Sequence, residues 1–126
     1  MRVAVVGGRL QGLEALYLAK KAGWETVLID RNSNVPALNF CDRFFLRNVS
    51  SEEGMAVALD GVDLIIPAFE NRPALGQLTD VASKLRLPIA IDLKAYDVSA
   101  SKSVSDRLFA ELGVPAPRPW PECAFP

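Results

Sequence analysis

The chain has 126 residues, half of them hydrophobic, and a formal net charge of -1. A chain of this length buries roughly two thirds of the surface that its unfolded form exposes, which is enough for one compact domain. It has no basic excess, so we expect neither a nucleic-acid partner nor an anionic membrane surface. The sequence has no histidine, and Cys41 and Cys123 lack metal-ligand spacing, which argues against the usual zinc sites and against histidine acid–base chemistry.

Short apolar runs alternate with segments of helical period along the chain. Strands are predicted at Val3–Val6, Thr26–Ile29, Arg43–Leu46, Val62–Ile66 and Ile89–Ile91. Helices are predicted from Gln11 to a stop at Gly23, at 52–59, from a cap at Asn71 to 85, and at 101–112 with a stop at Gly113. The first apolar run is far too short for a signal peptide or a membrane span, so we expect a cytoplasmic protein.

This alternation predicts right-handed βαβ units and a parallel sheet. We expect a Rossmann-like, three-layer α/β domain with a parallel five-stranded sheet in the order 3-2-1-4-5. Ligands should bind at the carboxyl ends of the strands, near the switch between strands one and four. The domain is expected to span residues 1–98. Residues 99–126 are expected to be a helix and a proline-rich connector to a further domain, and therefore the chain to be a fragment.

The glycine-rich segment Gly7–Gly12 lies between the first strand and the first helix, where backbone N–H groups and the helix dipole favour an anion. The dinucleotide fingerprint G-x-G-x-x-G would place a glycine where this sequence has Arg9, which weakens the case for NAD. The turn can still hold a smaller anion, with N–H groups from Leu10 and Gln11 and charge from Arg9. A purely structural role, in which the glycines only permit a tight turn, stays open.

Two further positions suit a nucleotide. Asp30 ends the second strand 18 residues after Gly12, close to the ~20 expected of an acid that binds ribose. Asn48 and Val49 follow the third strand, where an adenine can lie in such a fold. A nucleotide across Arg9, Asp30, Asn48 and Val49 is therefore one interpretation, and a solvated loop after Asp30 is the other.

Glu70 follows the fourth strand and directly precedes the helix cap at Asn71. An acid there can bind an ammonium group, or it can be a surface acid that the helix dipole stabilises. Its expected place opposite the glycine turn would bring a carboxylate-binding loop next to an amine-binding acid. That is the arrangement an amino-acid ligand requires.

Taken together, these features resemble the N-terminal domain of ATP-grasp ligases. Within that family they are most similar to the ligases of pyrrolysine biosynthesis, which join lysine to methylornithine. The resemblance spans essentially the whole chain and is carried by Gly7–Gly12, Ile29–Asn32, Glu70–Asn71, Asp92–Tyr96, Ser101–Lys102, the segment 113–117 and Trp120–Cys123.

The resemblance implies roles that composition and spacing do not. Leu10, Gln11 and Glu70 would bind the lysine substrate, and Arg9, Asp30, Asn48 and Val49 would contact a nucleotide. Arg9 stands where relatives carry lysine, which preserves the charge and changes the geometry. Lys102 falls at the position of a lysine that binds ATP phosphate. The parent enzyme would form an acyl phosphate that a substrate amine attacks to give an amide.

ATP and Mg²⁺ are implied for the parent enzyme, and no cofactor is assigned to this segment itself. The ATP-grasp lobes and the metal-binding carboxylates are expected after residue 126, so we expect no catalytic residue here and no turnover from this segment. A stand-alone NAD(P)- or nucleotide-binding module is the alternative. A third hypothesis is an assembly domain that presents aromatic residues to a partner, namely Phe40, Phe44, Phe45, Trp120 and Phe125. A homodimer is also compatible with the sequence.

Overall fold

A computed structural model describes residues 1–115. The described residues divide into two compact units, Met1–Ile91 and 92–115. The strands are β1 (Arg2–Val6), β2 (Glu25–Asp30), β3 (Arg43–Leu46) and β4 (Leu64–Pro67). The helices are α1 (Leu10–Lys21), a 3-10 helix (Pro36–Phe40), α2 (Glu52–Ala58), α3 (Arg72–Leu85), α4 (Leu93–Ser99) and α5 (Lys102–Glu111).

The first unit contains a parallel sheet in the order β3-β2-β1-β4, which confirms the predicted α/β class and strand order. The predicted fifth strand is wrong as a strand. Ile89 makes an isolated parallel bridge to Ile65 at the predicted edge, where the Ala90 N–H donates to the Ile65 carbonyl at 2.8 Å. The ladder stops there because α4 begins three residues later, at Leu93, with Asp92 as its N-cap.

Helices cover both faces of the sheet, so the three predicted layers are present. Successive strand side chains point to opposite faces. One face, which includes Ala4 and Ile29, packs with Met55 of α2 and Leu78 of α3. The other packs Val5 and Leu28 with Leu16 of α1 and Ala37 of the 3-10 helix. Burial on both faces explains why the central strands read as continuous apolar runs.

The predicted helix boundaries are confirmed at three places. Gly23 follows α1 with φ +73°, the left-handed conformation that glycine adopts readily after a helix. Asn71 caps α3 through its side-chain oxygen, which accepts the Ala74 N–H at 2.9 Å, and Pro73 lies in the first turn. Gly113 follows α5 with φ +67°.

The second unit contains α4, which the sequence did not predict, and α5. The Ser105 hydroxyl links them by donating to the Val98 carbonyl at 2.9 Å. Trp120, Cys123 and Phe125 lie outside the described residues, as does most of the proline-rich segment, so the connector assignment for 99–126 stays a prediction. Within residues 1–115, every helix is too short or too polar to span a lipid bilayer.

Candidate functional site

A cleft of about 580 Å³ opens in the first unit, where the ends of β1, β2, β3 and β4 and the start of α1 meet. This is the edge of the sheet at which the parallel topology predicts ligand binding. Seven of the eight site residues predicted from the sequence line it: Arg9, Leu10, Gln11, Asp30, Asn48, Val49 and Glu70. The structure therefore brings the proposed amino-acid and nucleotide positions into one cavity.

The glycines of the β1–α1 turn are required by close backbone approaches. Gly7 has φ +103°, and a Cβ there would lie 2.7 Å from the Ala68 carbonyl oxygen. A Cβ on Gly8 would lie 2.5 Å from a methyl of Val35, and one on Gly12 only 1.8 Å from the Gly7 carbonyl oxygen. Packing explains all three glycines, so the structural role considered from the sequence accounts for their identity without any ligand.

The first turn of α1 presents backbone donors in the cleft. Arg9 is the N-cap and makes no side-chain cap hydrogen bond, and the Leu13 N–H closes the first turn by donating to the Arg9 carbonyl at 2.9 Å. The N–H groups of Leu10 and Gln11 precede that bond, and such first-turn groups have no partner within their own helix. Together with the helix dipole they suit an anionic group.

Asp30 ties the glycine turn to the end of β2. One oxygen of its half-buried carboxylate accepts the Gly8 N–H at 2.7 Å, and the other accepts the Asn32 N–H at 2.8 Å. A carboxylate has about four lone-pair sites, so a ribose hydroxyl can still bind. The nucleotide contact of Asp30 stays a prediction, and its hold on the turn is a feature that the sequence did not reveal.

Glu70 and Gln11 meet directly. The Gln11 side-chain amide donates from Nε2 to Oε1 of Glu70 at 2.9 Å, across the space between α1 and the end of β4. Both side chains are exposed, so a ligand from solvent can reach them. With its nitrogen turned to Glu70, the amide leaves its oxygen as an acceptor beside the carboxylate. The pair thus offers two kinds of oxygen acceptor to an ammonium group.

The sequence reasoning missed several cleft residues, including Arg31, Arg47 and Phe69. With Arg9, the two arginines place one guanidinium after each of β1, β2 and β3, which adds positive charge to the lining. The signal was available, since Arg31 and Arg47 directly follow predicted strands. Lys102 is the first residue of α5 in the second unit, and its predicted ATP contact stays a prediction.

Outside the cleft, Asp42 forms a polar cluster at the start of β3. It pairs with Lys20 and accepts the backbone N–H and the hydroxyl of Thr26, both at 2.8 Å. The Lys20 hydrogen bond and the two from Thr26 lower the pKa of Asp42 to about 2. Burial raises the pKa of the neighbouring Cys41 thiol, so it is a poor nucleophile. This cluster fastens β3 to β2 and takes no part in the cleft.

The sequence has relatives among curated proteins, although no protein-family model matches it. Over 120 residues, which are 94% of this chain, it is 37% identical to the 3-methyl-D-ornithine–L-lysine ligase of Methanosarcina mazei. The chain is homologous to a segment of this ligase. That finding confirms the resemblance predicted from the sequence. The chain spans 32% of the relative's length, about one third.

Solved structures show the same fold. An N5-carboxyaminoimidazole ribonucleotide synthetase, solved as an ADP complex, superposes with a TM-score of 0.70 at 15% identity over 90% of this chain and 29% of its own. A nucleoside-diphosphate-sugar epimerase from Pseudomonas aeruginosa superposes with a TM-score of 0.59 at 28% identity, over 71% of this chain and 32% of its own. Folds of this kind serve several chemistries, so the function must be argued from the cleft and the sequence relatives.

Proposed function

We propose that the chain is the substrate-binding N-terminal domain of an ATP-dependent carbon–nitrogen ligase that joins lysine to methylornithine through an acyl phosphate, a step of pyrrolysine biosynthesis. The observation that carries this proposal is the 37% identity to a 3-methyl-D-ornithine–L-lysine ligase over 94% of the chain. An alignment over 94% of the chain includes most of the cleft-forming unit. No catalytic residue is assigned to this segment, because its proposed work is to hold substrates.

Lysine would bind through the two charged groups on its α-carbon, the carboxylate and the ammonium. Its carboxylate would accept the N–H groups of Leu10 and Gln11 at the positive end of the α1 dipole, with the Arg9 charge close by. Its α-ammonium would lie against Glu70 and the side-chain oxygen of Gln11, which the 2.9 Å bond between those two residues already holds in place. Both contacts are charge-assisted hydrogen bonds, the stronger kind.

The other end of the cleft would hold part of the nucleotide. Asp30 would accept a ribose hydroxyl, Asn48 and Val49 would flank the base, and Arg9 would face phosphate. Arg31 and Arg47 add positive charge at the same edge, which suits a polyphosphate. The resemblance to ATP-grasp ligases implies that the carboxylates that hold Mg²⁺ belong to the rest of the parent enzyme, so we assign no metal ligand to this segment.

The remaining two thirds of the ligase would supply the ATP-grasp lobes, with Lys102 reaching ATP phosphate from this segment. Phosphoryl transfer needs metal and cationic groups positioned around the phosphates. We therefore expect these 126 residues to release no ADP when incubated with ATP, Mg²⁺, lysine and methylornithine. A coupled ADP-release assay measures this directly, and robust lysine-dependent turnover would contradict the assignment.

Calorimetric titration with L-lysine tests the substrate site. We expect Glu70→Gln and Gln11→Ala to weaken binding roughly tenfold or more, because Glu70→Gln removes the charge that strengthens the bond from the ammonium and Gln11→Ala removes an acceptor for that ammonium. Glu14→Gln is the matched control, since Glu14 lies on the same helix as Gln11, is exposed and does not line the cleft. Equal affinity in all four proteins would show that the assigned site is wrong.

A stand-alone nucleotide-binding module is the second candidate. Asp30 and the likeness to the sugar-nucleotide epimerase favour it, and Arg9 at the second glycine position of the fingerprint opposes it. Enhanced NADH fluorescence at micromolar protein would support this candidate, and its absence at millimolar cofactor would exclude it. The packing of Phe44 and Phe45 against the two cores argues against an assembly domain that presents its aromatic residues to a partner, although Phe40 is exposed.

A further inference from the structure

Asp30 makes contacts that an acid reserved for a ribose does not need. Its carboxylate accepts the Gly8 N–H at 2.7 Å, from the turn that follows the neighbouring strand β1, and the Asn32 N–H at 2.8 Å. Its backbone carbonyl accepts the Arg47 N–H at 2.9 Å. One residue thus holds the loops that follow β1, β2 and β3, and these loops line the cleft.

The bond to Gly8 is well placed to control the amino-acid end of the cleft. Gly8 directly precedes Arg9, the N-cap of α1, and the N–H groups proposed to bind a carboxylate belong to the next two residues. The turn is already tight, because Gly12 packs its Cα against the Gly7 carbonyl. Without an acceptor for the Gly8 N–H, the turn would lose a side-chain hydrogen bond that ties its backbone to the end of β2, and the start of α1 would shift.

We infer that Asp30 is a positioning residue for the amino-acid end of the cleft: its carboxylate holds the β1–α1 turn so that the first-turn N–H groups of α1 face the ligand carboxylate. This inference rests on the proposed function for the identity of the ligand. It assigns to Asp30 a second role, distinct from nucleotide contact, and makes lysine binding depend on a residue that does not touch lysine.

The chain offers a matched control at the opposite end of the same sheet. The Asp63 carboxylate accepts the Arg2 N–H at 2.7 Å, again from the neighbouring strand β1, and Asp63 does not line the cleft. Asp63→Ala and Asp30→Ala therefore each remove a 2.7 Å bond between a carboxylate and a backbone N–H, and Asp30→Ala also removes the bond from Asn32. If losing such a bond only disturbs the structure in general, lysine affinity should fall in both variants. If Asp30 positions the turn, lysine affinity should fall in Asp30→Ala alone.

The experiment measures L-lysine affinity by calorimetry and amide hydrogen exchange by NMR in the 126-residue chain. We expect Asp30→Ala to bind lysine about tenfold more weakly, Asp63→Ala to stay within about twofold, and Asp30→Asn, which keeps one acceptor oxygen, to fall between. The Leu13 amide closes the first turn of α1. Its hydrogen-exchange rate should rise in Asp30→Ala and stay unchanged in Asp63→Ala.

Leu13 amide exchange and lysine affinity, measured together, distinguish failure of the Asp30 inference from failure of the proposed function. Unchanged Leu13 exchange in Asp30→Ala overturns the inference even if affinity falls, because Asp30 would then act by direct contact. Faster exchange with unchanged affinity also overturns it, since turn geometry would not matter to binding. If the unaltered chain does not bind lysine, the proposed function fails, and faster Leu13 exchange confined to Asp30→Ala would still establish that Asp30 positions the turn.

Discussion

Replacing Gly12 by alanine should sharply destabilise the first unit, whereas the same replacement at Gly76 should stabilise it. A Cβ on Gly12 would lie 1.8 Å from the Gly7 carbonyl oxygen and 2.9 Å from its carbon, and both obstacles are backbone. Overpacking typically costs 1–3 kcal/mol, and a fixed obstacle puts this case at about 3 kcal/mol or more. At Gly76, inside α3, the new Cβ would meet only the flexible tip of Arg72, at 3.4 Å.

Alanine is a better helix former than glycine by about 1 kcal/mol, so Gly76→Ala should gain up to that amount. Urea unfolding followed by circular dichroism measures both variants. With an m-value of roughly 2 kcal/mol/M, Gly12→Ala should lower the midpoint by about 1.5 M and Gly76→Ala should raise it slightly. A Gly12→Ala protein within about 0.5 kcal/mol of the unaltered chain would refute the close approach of α1 to β1.

Three further substitutions test particular contacts. Asp42→Asn should lose about 1 kcal/mol at pH 7, a value discounted because the Lys20 pair is partly exposed. The folded pKa of Asp42 is about 2, below its ordinary 3.8. The difference in stability between the unaltered chain and Asp42→Asn should therefore vanish as the pH falls from about 4 to 2, which unfolding curves across that range would show. Asn71→Ala should lose about 1 kcal/mol in urea unfolding by removing the cap of α3. Arg86→Gly should raise the melting temperature, because Arg86 has φ 55° and glycine adopts that conformation without steric strain.

Much of the fold follows from the sequence because its signals are local and strong. Continuous apolar runs identify β1 and β2, which are buried on both faces. Gly23, Asn71 and Gly113 mark helix ends through their own backbone or side-chain chemistry. The helix α4 was missed because its seven residues form only about two turns, too few to establish a helical period in the sequence. The prediction of a fifth strand was wrong because an apolar run does not reveal that the chain leaves the sheet after Ala90.

The cleft was predictable in outline, since the carboxyl ends of parallel strands meet at one edge and Arg9, Asp30 and Glu70 each follow a predicted strand. Its internal bonds were not. The contact between Gln11 and Glu70 joins residues 59 apart, and the bond from Gly8 to Asp30 spans 22 positions. Such pairings depend on strand register and on the angle at which α1 leaves the turn. Neither quantity can be read from residue types.

Titration of isotopically labelled protein with L-lysine, followed by amide chemical shifts, tests the central claim most directly. If the glycine turn and Glu70 bind the two poles of one amino acid, the largest shifts should fall on residues 8–12 and on 70–71, at the same lysine concentration. Lysine-induced shifts confined to other parts of the chain, or no shifts at millimolar lysine, would contradict the proposed binding site.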